Sequence, residues 1–331
     1  MTVRVSQDTA SARPAHRATL QVRVAPLAIW LVLGVLLVAG SMVSENFLRT
    51  ANLVNVLRQA APVGIAAVGV TLVMIMGEVD LSVGALVSLA AVICAAVMNG
   101  DAANLVPALL ASCATTTVFG IVNGFLVAHT RVSSFILTLG VGMTLYGLTQ
   151  MLTGGTAHGA VSPGYREFFN GRIAGEIPVL VIGFALCAAV GLAVQRLSVF
   201  GRRLYLVGAN RASARLAGLP IARTVIAAYA VSGLFAGLAG LALVARSGVS
   251  GSLAASGYEF DVLAAVVLGG TAFEGGRGGI GGTLAGVLIL FLAFNLVNIA
   301  GLNYHGQLIV KGAIIIIASA AYRRLDPSRR A

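Results

Sequence analysis

Charge is scarce in this chain: only 10% of its residues are Asp, Glu, Lys or Arg, and 22 of those are basic against 11 acidic. Soluble domains carry about 25% charged residues, so a water-solvated globule is excluded. Cysteine is rarer still. Cys94, Cys113 and Cys187 all lie in apolar stretches, odd in number and without metal-ligand spacing, and they read as small packing residues. His16, His129, His158 and His305 are scattered, with no Cys, Asp or Glu at metal spacing. A Walker loop, HExxH, CxxC and GxSxG are all missing. The chain therefore cannot hydrolyse ATP by itself, and no catalytic residue, metal or cofactor of its own is expected. Charge is also missing from the centres of the apolar stretches, whose polar groups are neutral: Asn123, Asn295 and Asn298. Secondary transporters and proton pumps place ionisable relays there, which speaks against an ion-coupled secondary transporter.

What the chain has in excess is apolar surface, at 58% of its residues. A bilayer core needs about 20 apolar residues per helix, and the sequence offers about ten such stretches. Their approximate spans are 26–43, 58–76, 81–98, 105–128, 133–152, 177–195, 224–245, 261–272, 281–300 and 307–322. The eighth is short, so it is broken or partly re-entrant. Helical lengths exclude a β-barrel, because lipid-exposed backbone must satisfy itself internally. The expectation is an all-α polytopic membrane protein, a transmembrane domain over 26–322 with basic tails at 1–25 and 323–331.

Charge sorting orients these spans. With the N-terminus inside, ten crossings return the C-terminus inside. Sixteen basic residues then face five acidic ones on the inner side, and six face six on the outer side. That is the positive-inside pattern, with both termini cytoplasmic in a cell (inner) membrane. It accounts for the net charge of +11 without nucleic acid. The first apolar run follows Arg23 and could mimic a signal peptide, but it reaches span length and reads as a retained helix.

Between the sixth and seventh spans lies a polar, basic island, SVFGRRLYLVGANRASARLAGLPIAR, from Ser198 to Arg223, within a loop of 196–223. Asn210 can cap a helix start, Gly218 can stop one, and Pro220 forbids continuation. About two turns fit between them, with Arg211 and Arg215 on one face and Ala212, Leu216 and Leu219 packing towards the membrane domain. Such an element is either a docking helix for a soluble partner or an ordinary positive loop.

Glycine is abundant, at 41 residues, and recurs at helix-contact spacing in Gly233/Gly237, Gly278/Gly282 and Gly282/Gly286. Two glycine clusters also carry polar residues. One is MGEVDLSVG, Met76 to Gly84, with Glu78, Asp80 and Ser82; the other is VLGGTAFEGGRG, Val267 to Gly278, with Glu274 and Arg277. Asp80 followed by Ser82 suits either a helix cap facing an aqueous vestibule or a contact with cargo.

GEVDLSVG resembles the GGxDLSVG signature of sugar-type ABC importer permeases, the ribose and related monosaccharide systems. The similarity continues through NGFLV from Asn123, FILTLG from Phe135, GRRLYLVGANRASARLAG from Gly201, GYEFD from Gly257, VLGGTAFEGGRG and the segment from Gln307 to Lys311, in the family's order from about 46 to 322. Three positions depart from it. Glu78 stands where glycine is usual, Ser134 where proline is common, and Phe273-Glu274 where a smaller pair is typical.

The resemblance implies that Gly208, Asn210, Arg211, Arg215, Leu216 and Gly218 form a coupling element docked on a cytoplasmic ABC ATPase, which uses the ATP. It further implies a second permease copy or homologous permease in the lipid, and an extracytoplasmic sugar-binding protein. Asp80, Ser82, Asn123, Asn295 and Asn298 are candidate pathway or gating residues. The cargo expected is a monosaccharide or small polyol; a branched-chain amino-acid-type permease is the nearest alternative.

Overall fold

The computed structural model describes residues 16–173, 175, 177–248, 250–302, 305–313 and 316, with side chains from Ile29 onward. Apolar length makes nearly all of it helix. The order is α1 (His16–Val43), α2 (Thr50–Ile75), α3 (Val83–Met98), α4 (Leu105–His129) and α5 (Ser134–Thr153). A short amphipathic α6 (Pro163–Asn170) and the two-residue antiparallel strands β1 (Arg172–Ile173) and β2 (Ile177–Pro178) lead into α7 (Val179–Leu197). Then come α8 (Val199–Ala209), α9 (Arg211–Leu216), α10 (Ile221–Ser247), α11 (Tyr258–Leu268) and α12 (Ile280–Ile299). Residues 305–313 are helical as well.

Six helices among the described residues are long and apolar enough to cross a membrane: α2, residues 102–129 including α4, α5, α7, α10 and α12. Ile29–Val43 and Val83–Met98 are shorter apolar helices. The protein is a polytopic helical membrane protein. Each of the first nine expected spans overlaps a helix. The tenth, 307–322, begins in the 305–313 helix and continues outside the described residues, as does the 323–331 tail. Helix α1 reaches back to His16, into the segment read as a polar tail over 1–25. The eighth span is short, as expected: α11 has 11 residues and is preceded by turns over 251–257.

Two helices make the centre. Helix α2 is 83% buried across its most apolar window and α10 is 67% buried, whereas α4 and α5 bury only 22% of theirs and turn their remaining surface outward. Helix α10 lies against α2, α3 and α4 along its length. Glycine makes that approach possible. A Cβ on Gly120 would strike the Tyr229 carbonyl, one on Gly233 the Thr116 carbonyl, and one on Gly240 the Val87 carbonyl. Without a hydrophobic force between helices in lipid, such contact is what dispersion needs to hold them together. The same applies to Gly282 and Gly286 of α12, which meet the Gly269 and Ala265 carbonyls.

Helices α2 and α3 flank α10 on different sides and touch each other little. Helix α2 runs against α10, with Gly69 beside Ser232 and Phe235, while α3 runs with it from Asp80 beside Ser232 to Ala90 beside Gly240. The 76–82 turn that joins them is consequently sunk into the bundle.

Candidate functional site

The basic loop is built as the sequence predicts at both ends. Asn210 is extended, and its Oδ1 accepts from the Ser213 N–H at 2.9 Å, capping α9. Gly218 sits at φ +72, and its N–H returns to the Arg215 carbonyl at 3.0 Å. A side chain there would strain the left-handed stop. The faces are another matter. Ala212 and Leu216 do not pack towards the membrane domain: both are exposed, Leu216 by 90%, and Ala214 is the buried residue of the helix. The short Ala214 side chain is therefore the part of α9 that faces the rest of the protein. Arg215 is exposed. Arg211 lies against the protein's own Glu78 in an ion pair, with its side chain 48% exposed.

That ion pair belongs to a junction of three segments. Gly276 N–H donates to the Ile75 carbonyl at 2.8 Å. Gly208, at the end of α8, faces both groups so closely that a Cβ would collide with Ile75 O and Gly276 N. Gly77 likewise faces the Glu274 carbonyl. From the other side, Tyr205 Oη donates to Gly278 O at 2.8 Å and the Ile280 N–H donates to Gln195 Oε1 at 3.0 Å. The two glycine clusters, almost 200 residues apart, thus meet each other and the basic loop.

Inward from the junction, residues 78–82 lie outside any helix or turn, so side chains must supply partners for their backbone groups. The Val79 N–H donates to Ser134 Oγ at 3.1 Å, and the Leu81 N–H to Thr138 Oγ1 at 3.0 Å. Tyr229 Oη donates to the Val79 carbonyl at 2.8 Å. Asp80 Oδ1 accepts from the Ser82 N–H at 3.1 Å and the Ser82 hydroxyl at 2.6 Å, and its Oδ2 accepts from the Ser232 hydroxyl at 2.9 Å. Asn123 donates to Ser82 Oγ at 2.8 Å, leaving its own buried Oδ1 without a partner among the described residues. Asp80, Ser82 and Asn123 are therefore brought together, but buried. Asp80 and Ser82 do not face an aqueous vestibule, and Ser82 makes no side-chain cap.

Asn295 and Asn298 lie elsewhere. They are not at midspan but in the last turns of α12, about 22 Å (Asn295) and about 27 Å (Asn298) along the helix from its start at the junction. Asn295 exchanges hydrogen bonds with Asn52 at 2.9 and 3.0 Å. Both asparagines line a cleft of about 300 Å³ among α2, α10, α11, α12 and the 305–313 helix. Its wall also holds an ion pair, Lys311 Nζ to Asp261 Oδ1 at 2.7 Å, with both side chains largely buried. Asp80, Asp261 and Lys311 are charged residues inside the bundle, each near the end of an apolar run rather than at its centre.

Sequence reasoning missed Glu78 as a partner of Arg211, and Ser134, Thr138, Tyr229 and Ser232 as the turn's supports. Their signal was present as polar residues one helical turn apart, 134/138 and 229/232, in otherwise apolar helices.

Comparison with known proteins places this architecture. Residues 52–319 match the family model described as branched-chain amino acid transport system / permease component. The ribose import permease of Escherichia coli (strain K12) is 39% identical over 292 residues, covering 86% of this chain and 89% of that protein. The D-allose transport system permease of the same strain is 31% identical over 287 residues, covering 87% and 88%. The galactose/methyl galactoside import permease of Haemophilus influenzae (strain ATCC 51907 / DSM 11121 / KW20 / Rd) is 31% identical over 312 residues, covering 88% and 92%. No solved structure matches the chain. Six membrane-length helices among the described residues and near full-length similarity agree: the chain belongs to this family of transport-system permeases, multi-pass proteins of the bacterial inner membrane.

Proposed function

We propose that the chain is the membrane-spanning permease subunit of an ATP-binding-cassette importer that moves a monosaccharide or small polyol into the cell. The observation that carries this reading is α9. It is capped at both ends, it holds Arg215 and a 90% exposed Leu216 outward, and its inner side is tied to the bundle through Arg211 and Glu78. Burying that leucine on a partner is worth about 1.5–3 kcal/mol, which makes α9 a docking element rather than a bare topogenic loop. The partner is a cytoplasmic ATPase subunit. Its closure moves α9, and the ion pair and glycine junction pass that movement to the 76–82 turn and the Asp80 network.

In this reading the chain crosses the membrane ten times with both termini cytoplasmic, pairs with a second permease, and receives cargo from an extracytoplasmic binding protein. Transport is then a difference in affinity between outward-open and inward-open states. The sugar assignment is supported by the relatives named as ribose, D-allose and galactose permeases. The family model's description favours a second reading, a branched-chain amino-acid permease.

The test is accumulation in proteoliposomes holding the permease, its ATPase and its binding protein. Sugar uptake that requires ATP is expected. Uptake by the permease alone on an ion gradient would overturn the reading, and uptake of leucine in preference to any sugar would replace it with the second.

A further inference from the structure

A pair of opposite charges buried among membrane helices is expensive unless it serves something, and the Asp261–Lys311 pair has a cleft in front of it. We infer that this cleft, at the end of the bundle away from the basic loop, is a binding site for a neutral monosaccharide in ring form. The inference rests on the importer reading and adds to it where the cargo sits and what holds it.

The cleft's chemistry matches hydroxyl groups better than an apolar ligand. A sugar hydroxyl both donates and accepts, so it needs acceptors and donors within one wall. Asp261 supplies a carboxylate, able to accept from two adjacent hydroxyls. Lys311, Arg246, Gln59 and Asn298 supply donors, and the two amides add acceptors. Arg246 Nε is buried in that wall and has no hydrogen-bond acceptor among the described residues. Phe291 and Phe294 line the same space with ring centroids 5.7 Å apart and planes at 66°, offering an apolar face for the C–H side of a pyranose or furanose. Lys311 Nζ is held 5.9 Å from the Phe294 centroid, so the charged and aromatic parts of the wall are fixed relative to one another. A volume of about 300 Å³ is at the small end of ligand pockets and admits one monosaccharide with water. An aliphatic amino-acid side chain would leave the polar groups unpaired. Arg246 lies in the wall beside the Asp261–Lys311 pair, so comparison with D-galacturonate separates neutral from anionic sugars.

The experiment uses the permease–ATPase complex in membranes, with Cys94, Cys113 and Cys187 replaced by alanine and the exposed Asn298 replaced by cysteine. The rate of modification by a membrane-impermeant maleimide is measured with D-ribose, D-allose, D-galactose or myo-inositol present, and with D-galacturonate. At least one neutral compound is expected to slow modification several-fold and saturably, and that protection should vanish in Asp261→Asn. Gln59→Ala provides a milder second variant in which protection should weaken. No protection by any neutral compound, in membranes that still accumulate sugar with ATP and binding protein, overturns the cleft assignment and leaves the importer reading standing. Loss of both overturns the two together. Stronger protection by D-galacturonate overturns the neutral class.

Discussion

Arg211 and Glu78 stand 133 residues apart and form an ion pair, joining the exposed α9 to the turn that carries Asp80. Arginine is half exposed and glutamate nearly buried, so water screens one partner more than the other. A glycine at 78, the residue usual in the sugar-type signature, could not make this link. The pair is a charged tie between α9 and the buried turn.

Removing either partner should therefore cost little stability, about 0.5–1 kcal/mol. Arg211→Glu sets two carboxylates together and should cost more, and the exchange Glu78→Arg with Arg211→Glu should recover much of that loss. Thermal unfolding of the purified permease across the double-mutant cycle measures the coupling, with about 0.5–3 kcal/mol typical of contacting residues. A coupling of zero would show that the pair holds nothing.

Within the buried turn, Asp80→Ala removes the acceptor for the Ser82 and Ser232 hydroxyls. Each buried group left unsatisfied costs about 1–3 kcal/mol, so this substitution should destabilise the permease more than Ser232→Ala does. Asp80→Asn should fall between, because the Ser232 hydroxyl can turn to accept from the new amide. Melting temperatures of the three variants check the order. Equal losses would mean the network is not cooperative.

Glycine positions offer a sharp contrast. Gly233→Val drives a side chain into the Thr116 carbonyl of α4 and should cost about 1–3 kcal/mol or more, seen as aggregation on size-exclusion chromatography. Gly147→Ala, on α5 with nothing within 4 Å, should be neutral or stabilising by about 0.4–1 kcal/mol. Equal tolerance at both positions would contradict the close packing of α4 on α10.

Orientation follows from the same helices. In a cysteine-free background, Asp101→Cys beyond α3 should react with impermeant maleimide from outside, and Arg131→Cys beyond α4 only after permeabilisation. The opposite pattern would invert the positive-inside assignment.

The long helices were legible because lipid demands length and apolarity, and α2, α4, α5, α7, α10 and α12 satisfy both in plain sequence; the short amphipathic α6, which does not, was missed. The caps of α9 were legible too, since Asn210 and Gly218 act on their own neighbours. What could not be read was anything set by one helix lying on another. Which face of α9 turns inward depends on what the helix lies against, so Leu216 was assigned to the wrong side. Asp80 and Ser82 look like a vestibule cap until α4, α5 and α10 close over them. Asp261 and Lys311 look like separate charges at span ends until the fold pairs them.

The central claim is that α9 is where an ATPase docks. Its most direct measurement is co-purification of the ATPase with wild-type permease and with Arg215→Glu/Leu216→Glu, at matched expression and with both residues outward. The account predicts that the ATPase is lost from the variant, by about 2 kcal/mol or more of docking free energy for a buried leucine and a reversed charge, while the variant permease still inserts and keeps the melting temperature of the wild type. Undiminished co-purification together with undiminished ATP-driven uptake would contradict it and leave the loop as a topogenic signal.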